Sequence, residues 1–525
     1  MKMDIEKVIE DSKIFGIKED FNKFICSKHM KRILNDRTVF FDLWYHCMNQ
    51  LLMMDEKGVS DDITSNNYRT KYNSSNIRKK LEAIKPSLNS WIRFTQKNPD
   101  LRTLDLIFIS RDRFVKINNG NEWITSDYLF FSIIEKLKET NPNLKMGMIC
   151  TSIPPRDINI DTYNVYQYIK PRDIIKALYF SSKKKTQWIH FRNKIKKNKT
   201  QNSAMLYQLN LFFSLKMLFP RYLVDYSYNR LFSTLNPSIV ISNDDSMQLK
   251  PHTTNKSLKF ITIQSAIMSP MNELYRRLFI SEFGDESVKS DYFVCTGEYF
   301  RELKKDSCVS KNTVVMGQPR YDILNKAAEI YDKSKIIRDF GLDPNKKIIL
   351  WTTQTHGLSY EENINNINSM YKAMSTITDA QLVIKLHPGE DQKASLYTQN
   401  KDYKPVILGR DADVHALLYA CDIMITKNST TALEAALLDK PVIILNLSNE
   451  PDRLDYVNEG IAIGVYDSES LGSAIDQALN DNHLRNQLNE GREKYIEKYL
   501  YKNDGKATER VVNLIESLIP EDLKN

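Results

Sequence analysis

The sequence predicts an α/β protein that contains two consecutive parallel sheets, each covered by helices on both faces. Short apolar runs that end in polar or Gly-containing loops alternate with helical segments from about residue 100 onward. Such alternation is typical of parallel α/β sheets, and runs that are apolar throughout are typical of strands buried on both faces. The runs form two series separated near residues 318–322, where a Pro-fixed turn precedes a charged helix. We therefore expect two Rossmann-like domains.

Composition is consistent with a large globular protein. The 525 residues carry a net charge of +8, and 42% of them are hydrophobic and 27% charged, which argues against a disordered chain. The six cysteines are scattered without a CxxC pair, so we expect a reducing compartment and no structural metal. The charged start lacks the apolar core of a signal peptide, and no run of about 18 apolar residues occurs. We expect a cytoplasmic protein, with a peripheral position at the inner face of the cell membrane as a candidate.

The elements follow in order. Residues 1–100 are predicted to form a helical extension because apolar residues recur there at three- and four-residue spacing. Residues 101–325 are predicted to form the first domain and residues 326–500 the second. The predicted strands of the first series are residues 104–110, 146–150, 238–242, 260–264, 292–296 and 313–317. Those of the second series are residues 348–352, 382–386, 406–408, 422–426, 442–446 and 461–465, with helices predicted at 362–376 and 413–420.

An insertion near residues 170–230 interrupts the first series. Residues 183–200 contain eight Lys or Arg and no acidic residue, with Trp188 and Phe191 among them, and an apolar segment follows. This pattern fits an anionic membrane surface as a partner. It also fits single-stranded nucleic acid, through phosphate contacts and base stacking. The net charge of +8 is small for a dedicated nucleic-acid-binding protein, so no nucleic acid is expected; a solvated basic segment is the third alternative.

The first candidate site follows the predicted strand at residues 382–386. His387 comes directly after this strand, and Pro388 holds His387 in an extended conformation. An imidazole at the carboxyl end of a buried strand can donate an N–H to a phosphate oxygen, and Lys385 adds positive charge. We predict that these three residues bind a ligand phosphate. A capped strand end with a solvent-facing histidine is the alternative.

The second candidate site is a hydroxyl-rich turn between a predicted strand and an Ala- and Leu-rich helix. The turn contains Asn428, Ser429, Thr430 and Thr431. A helix that begins here points free N–H groups and the positive end of its dipole at a ligand above the turn. We therefore predict a phosphate site. Thr431 and Glu434 also have capping-box spacing, so helix capping is the alternative for these two residues.

A third polar segment follows the strand that opens the second series. Thr353 and Gln354 come directly after this strand and are predicted to face the cleft between the domains. We include both in the candidate ligand site, with a plain polar loop as the alternative. Two further residues have structural interpretations: Asp413 is predicted to cap a helix, and Arg320 either reaches a phosphate or forms an ion pair in the connection.

Together these motifs resemble those of metal-independent GT-B transferases. The His-Pro pair at 387–388, the Ser-Thr turn at 429–430 and the tail at 504–515 occur in an order similar to that of surface-polysaccharide enzymes of bacteria and archaea. The CDP-glycerol glycerophosphotransferase-like and bacterial sialyltransferase-like groups have the most similar pattern. The resemblance covers about residues 235–518.

The resemblance implies a GT-B fold, in which the two Rossmann-like domains face a cleft. It implies that the second domain binds a nucleotide-activated donor, with His387 and the 428–431 turn at the phosphates and Glu434 at the ribose. Residues 501–525 would cross back to the first domain as a helix. The implied activity is a metal-independent glycosyltransferase that builds a cell-surface glycan on a glycan or lipid-linked acceptor. A polyol-phosphate transferase of the CDP-glycerol type is the alternative. The nucleotide-activated donor is a substrate, so no cofactor is expected.

The catalytic base is predicted among carboxylates of the first domain. Related enzymes often have a Gln-His-Gly turn where residues 264–266 read Gln-Ser-Ala, so the histidine is absent. Asp244 and Asp245, after the predicted strand at 238–242, are the first candidates for the base, and Asp285 and Glu286 are the second. A solvated loop or a helix cap is the alternative for both pairs.

Overall fold

The computed structural model contains two parallel sheets in the order that the sequence predicts, and the α/β fold class is confirmed. The structure describes the following residues: 77–95, 102–118, 122–195, 209–243, 255, 257–265, 290–304, 310–354, 360–387, 390, 394–398, 403–409, 411–448, 452 and 454–521. Most of the predicted helical extension, residues 1–76, therefore lies outside the described residues.

The first sheet has seven strands in the order β5-β4-β1-β6-β7-β8-β9, and all neighbours are parallel. Chain direction across the sheet reverses between β1 and β6, which is where ligands bind in open α/β sheets. A separate antiparallel hairpin is formed by β2 and β3. The bounds are β1 (Leu106–Ile109), β2 (Phe114–Asn118), β3 (Trp123–Asp127), β4 (Met146–Cys150), β5 (Thr162–Asn164), β6 (Ile239–Asn243), β7 (Lys259–Ile263), β8 (Ser290–Cys295) and β9 (Ser310–Val315).

The second sheet has six parallel strands in the order β12-β11-β10-β13-β14-β15, and its direction reverses between β10 and β13. The four central strands, β11, β10, β13 and β14, are mostly apolar and buried, as is typical of strands in a parallel sheet whose faces are covered by helices, whereas β12 and β15 at the edges are largely half-buried. The bounds are β10 (Lys347–Thr352), β11 (Ala380–Lys385), β12 (Val406–Leu408), β13 (Ile423–Thr426), β14 (Val442–Leu445) and β15 (Ile463–Val465).

Most of the α-helices whose bounds lie within the described residues cover the two sheets or belong to the segment between β5 and β6, and the helix Ile77–Thr95 packs against the helix Leu215–Leu235 of that segment. They are α1 (Ile77–Thr95), α2 (Phe131–Thr140), α3 (Pro171–Ile195), α4 (Leu215–Leu235), α5 (Glu298–Lys304), α6 (Asp322–Asn325), α7 (Ala327–Ile330), α8 (Lys333–Asp339), α9 (Tyr360–Thr376), α10 (Ala394–Tyr397), α11 (Val414–Ala420), α12 (Thr431–Leu437), α13 (Ser470–Asn480), α14 (Asn482–Tyr499) and α15 (Ala507–Leu518). Over these residues, no helix combines the length and the apolar character needed to cross a membrane.

The basic segment is helical as far as Ile195, where α3 ends. Within α3, Trp188 is only 2% exposed, its ring stacks on Phe213 at 5.1 Å between centroids, and its Nε1–H donates to Asn210. The nucleic-acid alternative, in which Trp188 stacks on a base, does not agree with this geometry, because the indole is buried between α3 and the segment that precedes α4. The side chain of Phe191 lies outside the described residues.

The last helix packs on the first sheet. The connection after β9 is a single 3-10 turn, Pro319–Tyr321, and the Asp322 carboxylate that follows it accepts the backbone N–H groups of Ala507 and Thr508 at the start of α15. From there the apolar face of α15 enters the core of the first sheet, where it packs beside α2. The two segments that connect the domains, the one after β9 and the one before α15, thus lie side by side.

Candidate donor site

Three adjacent strands of the second sheet bring the predicted ligand-binding segments to one edge. β10 lies between β11 and β13, and all three run parallel, so their carboxyl ends point in the same direction. His387 follows β11, Thr353 and Gln354 follow β10, and the 428–431 turn follows β13. The predicted residues from three separate parts of the sequence therefore meet at the reversal point of the sheet.

A buried hydroxyl group positions His387. The His387 backbone N–H donates to Thr353 Oγ1 at 3.1 Å, and Thr353 Oγ1 donates to Glu390 Oε2 at 2.7 Å. Thr353 and Glu390 are buried, whereas His387 is half-buried at the edge. The ammonium group of Lys385 is also buried, and its Nζ donates to the carbonyl of Leu386 at 3.1 Å. Thr353 and Lys385 thus support the strand end from beneath, and His387 is the partly accessible member of the group.

The 428–431 turn is half-buried and is held by side chains from the neighbouring strand. Gln354 Oε1 accepts the backbone N–H of Asn428 at 2.8 Å, and the hydroxyls of Thr352 and Thr431 lie 3.5 Å apart. Within the turn, Ser429 Oγ accepts the Thr431 backbone N–H at 3.2 Å and the Thr431 hydroxyl at 2.7 Å. Ser429 and Gln354 therefore hold the turn that precedes α12 through these hydrogen bonds.

Glu434 does not lie with the turn. Its carboxylate is 0% exposed, and its Oε1 accepts the hydroxyl of Tyr128 at 2.7 Å. Arg320 Nη2 lies 3.7 Å from Oε1, and His415 Nε2 lies 3.4 Å from Oε2. The expected ribose contact of Glu434 is incompatible with this arrangement because neighbouring side chains surround the carboxylate. The capping-box alternative is also wrong, since the Thr431 backbone N–H donates to Ser429 Oγ while the Glu434 carboxylate contacts Tyr128, Arg320 and His415.

We call Tyr128, Arg320, His415 and Glu434 the interdomain cluster, because they come from the first domain, the connection and the second domain. Burial raises the pKa of Glu434, but the contacts with His415, Arg320 and Tyr128 outweigh burial and hold this pKa below its ordinary value. Burial lowers the pKa of His415, but the Glu434 carboxylate outweighs it and holds this pKa above its ordinary value. Glu434 is therefore ionised at neutral pH, and its negative charge faces the positive charge of Arg320.

The predicted interpretation of Asp413 agrees with its geometry, because its Oδ1 accepts the His415 backbone N–H at 2.9 Å as the N-cap of α11. Arg320 forms the ion pair that was one of its two predicted roles. The candidate bases Asp244, Asp245, Asp285 and Glu286, together with Pro388 of the His-Pro pair, lie outside the described residues.

Sequence reasoning missed several residues near the site. Lys427 precedes the turn, and its Nζ donates to Ser448 Oγ at 2.7 Å, so a second lysine lies at the same edge as His387. Tyr128 and His415 of the interdomain cluster were also missed. The position of Lys427 directly after β13 was a usable signal, whereas the pairing of Tyr128 with a residue 306 positions away was not. In the part of the chain that the structure describes, no group of His, Cys, Asp and Glu side chains is arranged to hold a metal ion.

The two facing Rossmann-like units, with a polar edge at the reversal point of the second sheet, define the architecture of GT-B transferases. The family model described as CDP-Glycerol:Poly(glycerophosphate) glycerophosphotransferase matches residues 175–517, which is more than half of the chain. The chain belongs to this family.

Individual relatives are distant. A processive diacylglycerol beta-glucosyltransferase of Bacillus licheniformis is 27% identical over 203 residues, which cover 38% of this chain and 51% of the relative. A teichoic acid poly(ribitol-phosphate) polymerase of Bacillus spizizenii is 23% identical over 214 residues, 39% of this chain and 33% of the relative. A structure of the wall teichoic acid polymerase TagF has a TM-score of 0.47 and 14% identity, and the match covers 85% of this chain and 98% of that one. The chain thus spans about half of the length, or less, of these two sequence relatives.

Proposed function

We propose that the protein is a metal-independent glycosyltransferase that transfers a sugar from a nucleotide-activated donor to a cell-surface glycan or its lipid-linked precursor. One observation carries the proposal: His387 and the 428–431 turn lie at the same edge of the second sheet, on the two strands that flank β10. Lys427 and Lys385 add positive charge near this edge. The edge therefore suits the phosphates of a nucleotide donor.

The proposed reaction forms one bond and breaks one. The acceptor hydroxyl oxygen bonds to the anomeric carbon of the sugar, the bond from that carbon to the nucleotide phosphate oxygen breaks, and the hydroxyl proton passes to a base. Negative charge develops on the leaving phosphate as the bond breaks. Preorganised N–H donors, such as the imidazole of His387 and the start of α12, stabilise that charge without reorganisation. The proposed bases remain Asp244 or Asp245, with Asp285 or Glu286 as the second pair.

A second candidate function is transfer of a polyol phosphate from a donor of the CDP-glycerol type. The description of the matching family favours it. In that reaction the acceptor hydroxyl oxygen bonds to the phosphorus that carries the polyol, its proton passes to a base, and CMP leaves with the electron pair of the broken P–O bond. Both candidates use the same phosphate edge, so they differ in the group transferred and in the nucleotide released.

Isothermal titration with UDP, CDP and CMP tests the donor site. We expect at least one of them to bind, and His387→Ala to weaken that binding about tenfold or more, since a charge-assisted hydrogen bond contributes about 1.5–3 kcal/mol. The matched control is His483→Ala, because His483 is an exposed histidine on α14 far from the edge in sequence and fold. No heat with any nucleotide, or equal affinity in the two variants, would contradict the proposal. UDP release from UDP-sugars, against CMP release from CDP-glycerol, then separates the two functions.

The proposed partner of the basic segment, residues 183–200, is an anionic membrane surface. α3 supports this proposal, because Ile175 and Tyr179 are 69% and 60% exposed on the same face of the helix as Lys183, whose Nζ lies 5.9 Å from the Tyr179 ring centroid. Exposed apolar side chains between lysines are typical of helices that lie in the membrane interface. The proposed location is therefore cytoplasmic and peripheral, at the inner face of the cell membrane.

Vesicle sedimentation tests this partner. The double variant Lys176→Glu and Lys183→Glu is expected to lose at least about tenfold in binding to anionic vesicles, because each basic residue near such a surface contributes about 1 kcal/mol. The matched control reverses two exposed lysines of the second domain, Lys335→Glu and Lys346→Glu, and keeps the same net charge as the test variant. An equal loss of vesicle binding in both variants would mean that binding depends only on the net charge and not on α3. Failure of the unmodified protein to sediment with anionic vesicles would refute the membrane partner.

A further inference from the structure

The interdomain cluster connects the donor-site helix to the other domain. Glu434 lies on α12, four residues after Thr430, and its carboxylate accepts the Tyr128 hydroxyl of the first domain at 2.7 Å. Tyr128 comes directly after β3, and the Arg320 guanidinium, from the connection, lies over the Tyr128 ring at 5.1 Å. One carboxylate therefore contacts both the first domain and the connection.

The remaining contacts hold this carboxylate from the side of the second domain. The His415 ring stacks on the Tyr128 ring at 6.3 Å between centroids and faces Glu434 with its Nε2. Arg320 Nη2 also donates to the hydroxyl of Tyr321 at 2.9 Å. Two opposite charges and three aromatic rings thus fill an interior volume in which Arg320 is 2% exposed and Glu434 is 0% exposed.

Because Glu434 is buried, its free energy depends on the relative position of the two domains. A buried carboxylate is tolerated only while hydrogen bonds and opposite charges surround it. Moving the first domain away removes the Tyr128 hydroxyl from Glu434 and leaves the carboxylate with fewer partners. The observed arrangement therefore gives Glu434 Oε1 its hydrogen bond, and an opened arrangement would remove it unless water or a ligand replaces Tyr128.

We propose that Glu434 is a positioning residue that fixes α12, and with it the phosphate edge, at a defined distance from the first domain. This inference rests on the proposed function, since the edge is taken to hold the donor phosphates and the first domain to hold the acceptor. Tyr128 and Arg320 are the groups through which Glu434 acts. The role differs from a ribose contact, because the partner of the carboxylate is the protein itself.

Small-angle X-ray scattering of the full chain tests the proposal with Tyr128→Phe, which keeps the ring and removes only the hydroxyl. We expect a larger radius of gyration than that of the unmodified protein. The matched control is Tyr331→Phe, which removes a similar buried bond, from the Tyr331 hydroxyl to Asp413 Oδ2 at 2.9 Å, on one side of the interface. This control is expected to scatter like the unmodified protein. Glu434→Gln, which removes the charge that faces Arg320, is the second variant and is expected to open the domains as well.

Titration with CDP separates this inference from the proposed function. Tyr128→Phe is expected to keep CDP affinity within about twofold, because Tyr128 does not belong to the phosphate edge. Unchanged scattering in both Tyr128→Phe and Glu434→Gln would overturn the positioning role even if CDP binds. If CDP does not bind, UDP or CMP takes its place in this comparison; absence of binding of all three nucleotides by the unmodified protein would count against the proposed function and leave the scattering comparison intact.

Discussion

Asp127 serves as a structural carboxylate at the end of β3. Its Oδ1 accepts the backbone N–H groups of Leu129 and Phe130, and its Oδ2 accepts the Ser110 hydroxyl at 2.5 Å. Burial nevertheless raises the pKa of Asp127 to about 6, and these hydrogen bonds offset burial only in part. The folded protein thus binds this proton more tightly than the unfolded chain does.

This residue predicts a pH dependence of stability. The unfolded pKa of an aspartate is about 3.9, so the free energy of unfolding is expected to fall as the pH rises from about 4 to about 6, by about 3 kcal/mol from this group. Asp127→Asn retains an acceptor for Leu129 and Phe130 and is expected to flatten that slope. Urea unfolding at pH 4 to 8 measures it. The control is Asp481→Asn, at the exposed N-cap of α14. In this variant the free energy of unfolding is expected to fall with rising pH as in the unmodified protein, because Asp127 is still present.

Glu434 marks the limit of sequence reasoning at the scale of single residues. Its spacing from Thr431 predicts a cap, and the motif around it implies a ribose contact. Its actual partners, Tyr128 and Arg320, lie 306 and 114 positions away in the sequence. Local spacing carries no information about such pairs, because they form only when two domains meet. The position of His387 at the edge, by contrast, follows from the strand that precedes it and agrees with the structure, while its role at a phosphate stays a prediction.

At the scale of elements, the strands in the middle of each sheet were the most predictable, because they are buried on both faces and therefore read as continuous apolar runs. Met146–Cys150 and Val406–Leu408 have the predicted bounds, and the other predicted strands differ by a few residues at their ends. The hairpin of β2 and β3 was missed. Its first strand, Phe114–Asn118, is mostly half-exposed and has polar residues between apolar ones. The sequence therefore contains no continuous apolar run that would indicate this strand.

Helix α14 lies close to the backbone of Gly460, and this contact predicts that alanine substitutions at two glycines change the stability in opposite directions. A Cβ added at Gly491 would meet the carbonyl oxygen of Gly460 at 2.1 Å, a distance that requires the backbone to shift. A Cβ added at Gly472, within α13, would meet nothing within 4 Å. Gly491→Ala is therefore expected to lower the melting temperature, and Gly472→Ala to raise it slightly, because alanine stabilises a helix interior by roughly 0.5–1 kcal/mol relative to glycine.

Thermal unfolding followed by circular dichroism compares the two variants directly. The substitutions are chemically identical and both fall in helices of the second domain, so helix propensity favours alanine in each. Opposite signs of the change in melting temperature would therefore isolate the backbone contact at Gly460. Equal stabilisation in both variants would mean that the loop at residue 460 moves away at no cost and that α14 is not held there.

At the scale of the whole molecule, the order of the two sheets was predictable and their mutual arrangement was not. The break near residues 318–322 is visible as a proline after a strand, and the two series of runs follow from hydrophobicity. The contacts that join the domains are formed by a few side chains from distant segments. Leu433 of α12, Tyr321 of the connection and Phe293 of β8 share one buried cluster, which no pattern in any one segment indicates.

The C-terminal segment is the last connection between the domains. After α14, Tyr501 donates its backbone N–H to Thr296 O of the first domain at 2.7 Å, and a Cβ on Gly297 would meet Tyr499 O at 2.2 Å. The chain thus lies directly against the first domain before α15 begins. Four of the buried residues that follow, Val511, Val512, Ile515 and Ile519, lie in the core of the first sheet.

Truncation after residue 500 is therefore expected to unfold the first domain rather than merely loosen it. Burial of each large apolar side chain contributes about 1.5–3 kcal/mol, so loss of four of them is comparable with the roughly 5–15 kcal/mol stability of a whole domain. Limited proteolysis is expected to degrade residues 102–315 of the truncated chain, while the second sheet, whose core contains none of the four residues, resists. A chain that ends at residue 521 retains all of these contacts and is the control. Equal protection of both domains in the truncated chain would show that α15 covers the first sheet without stabilising it.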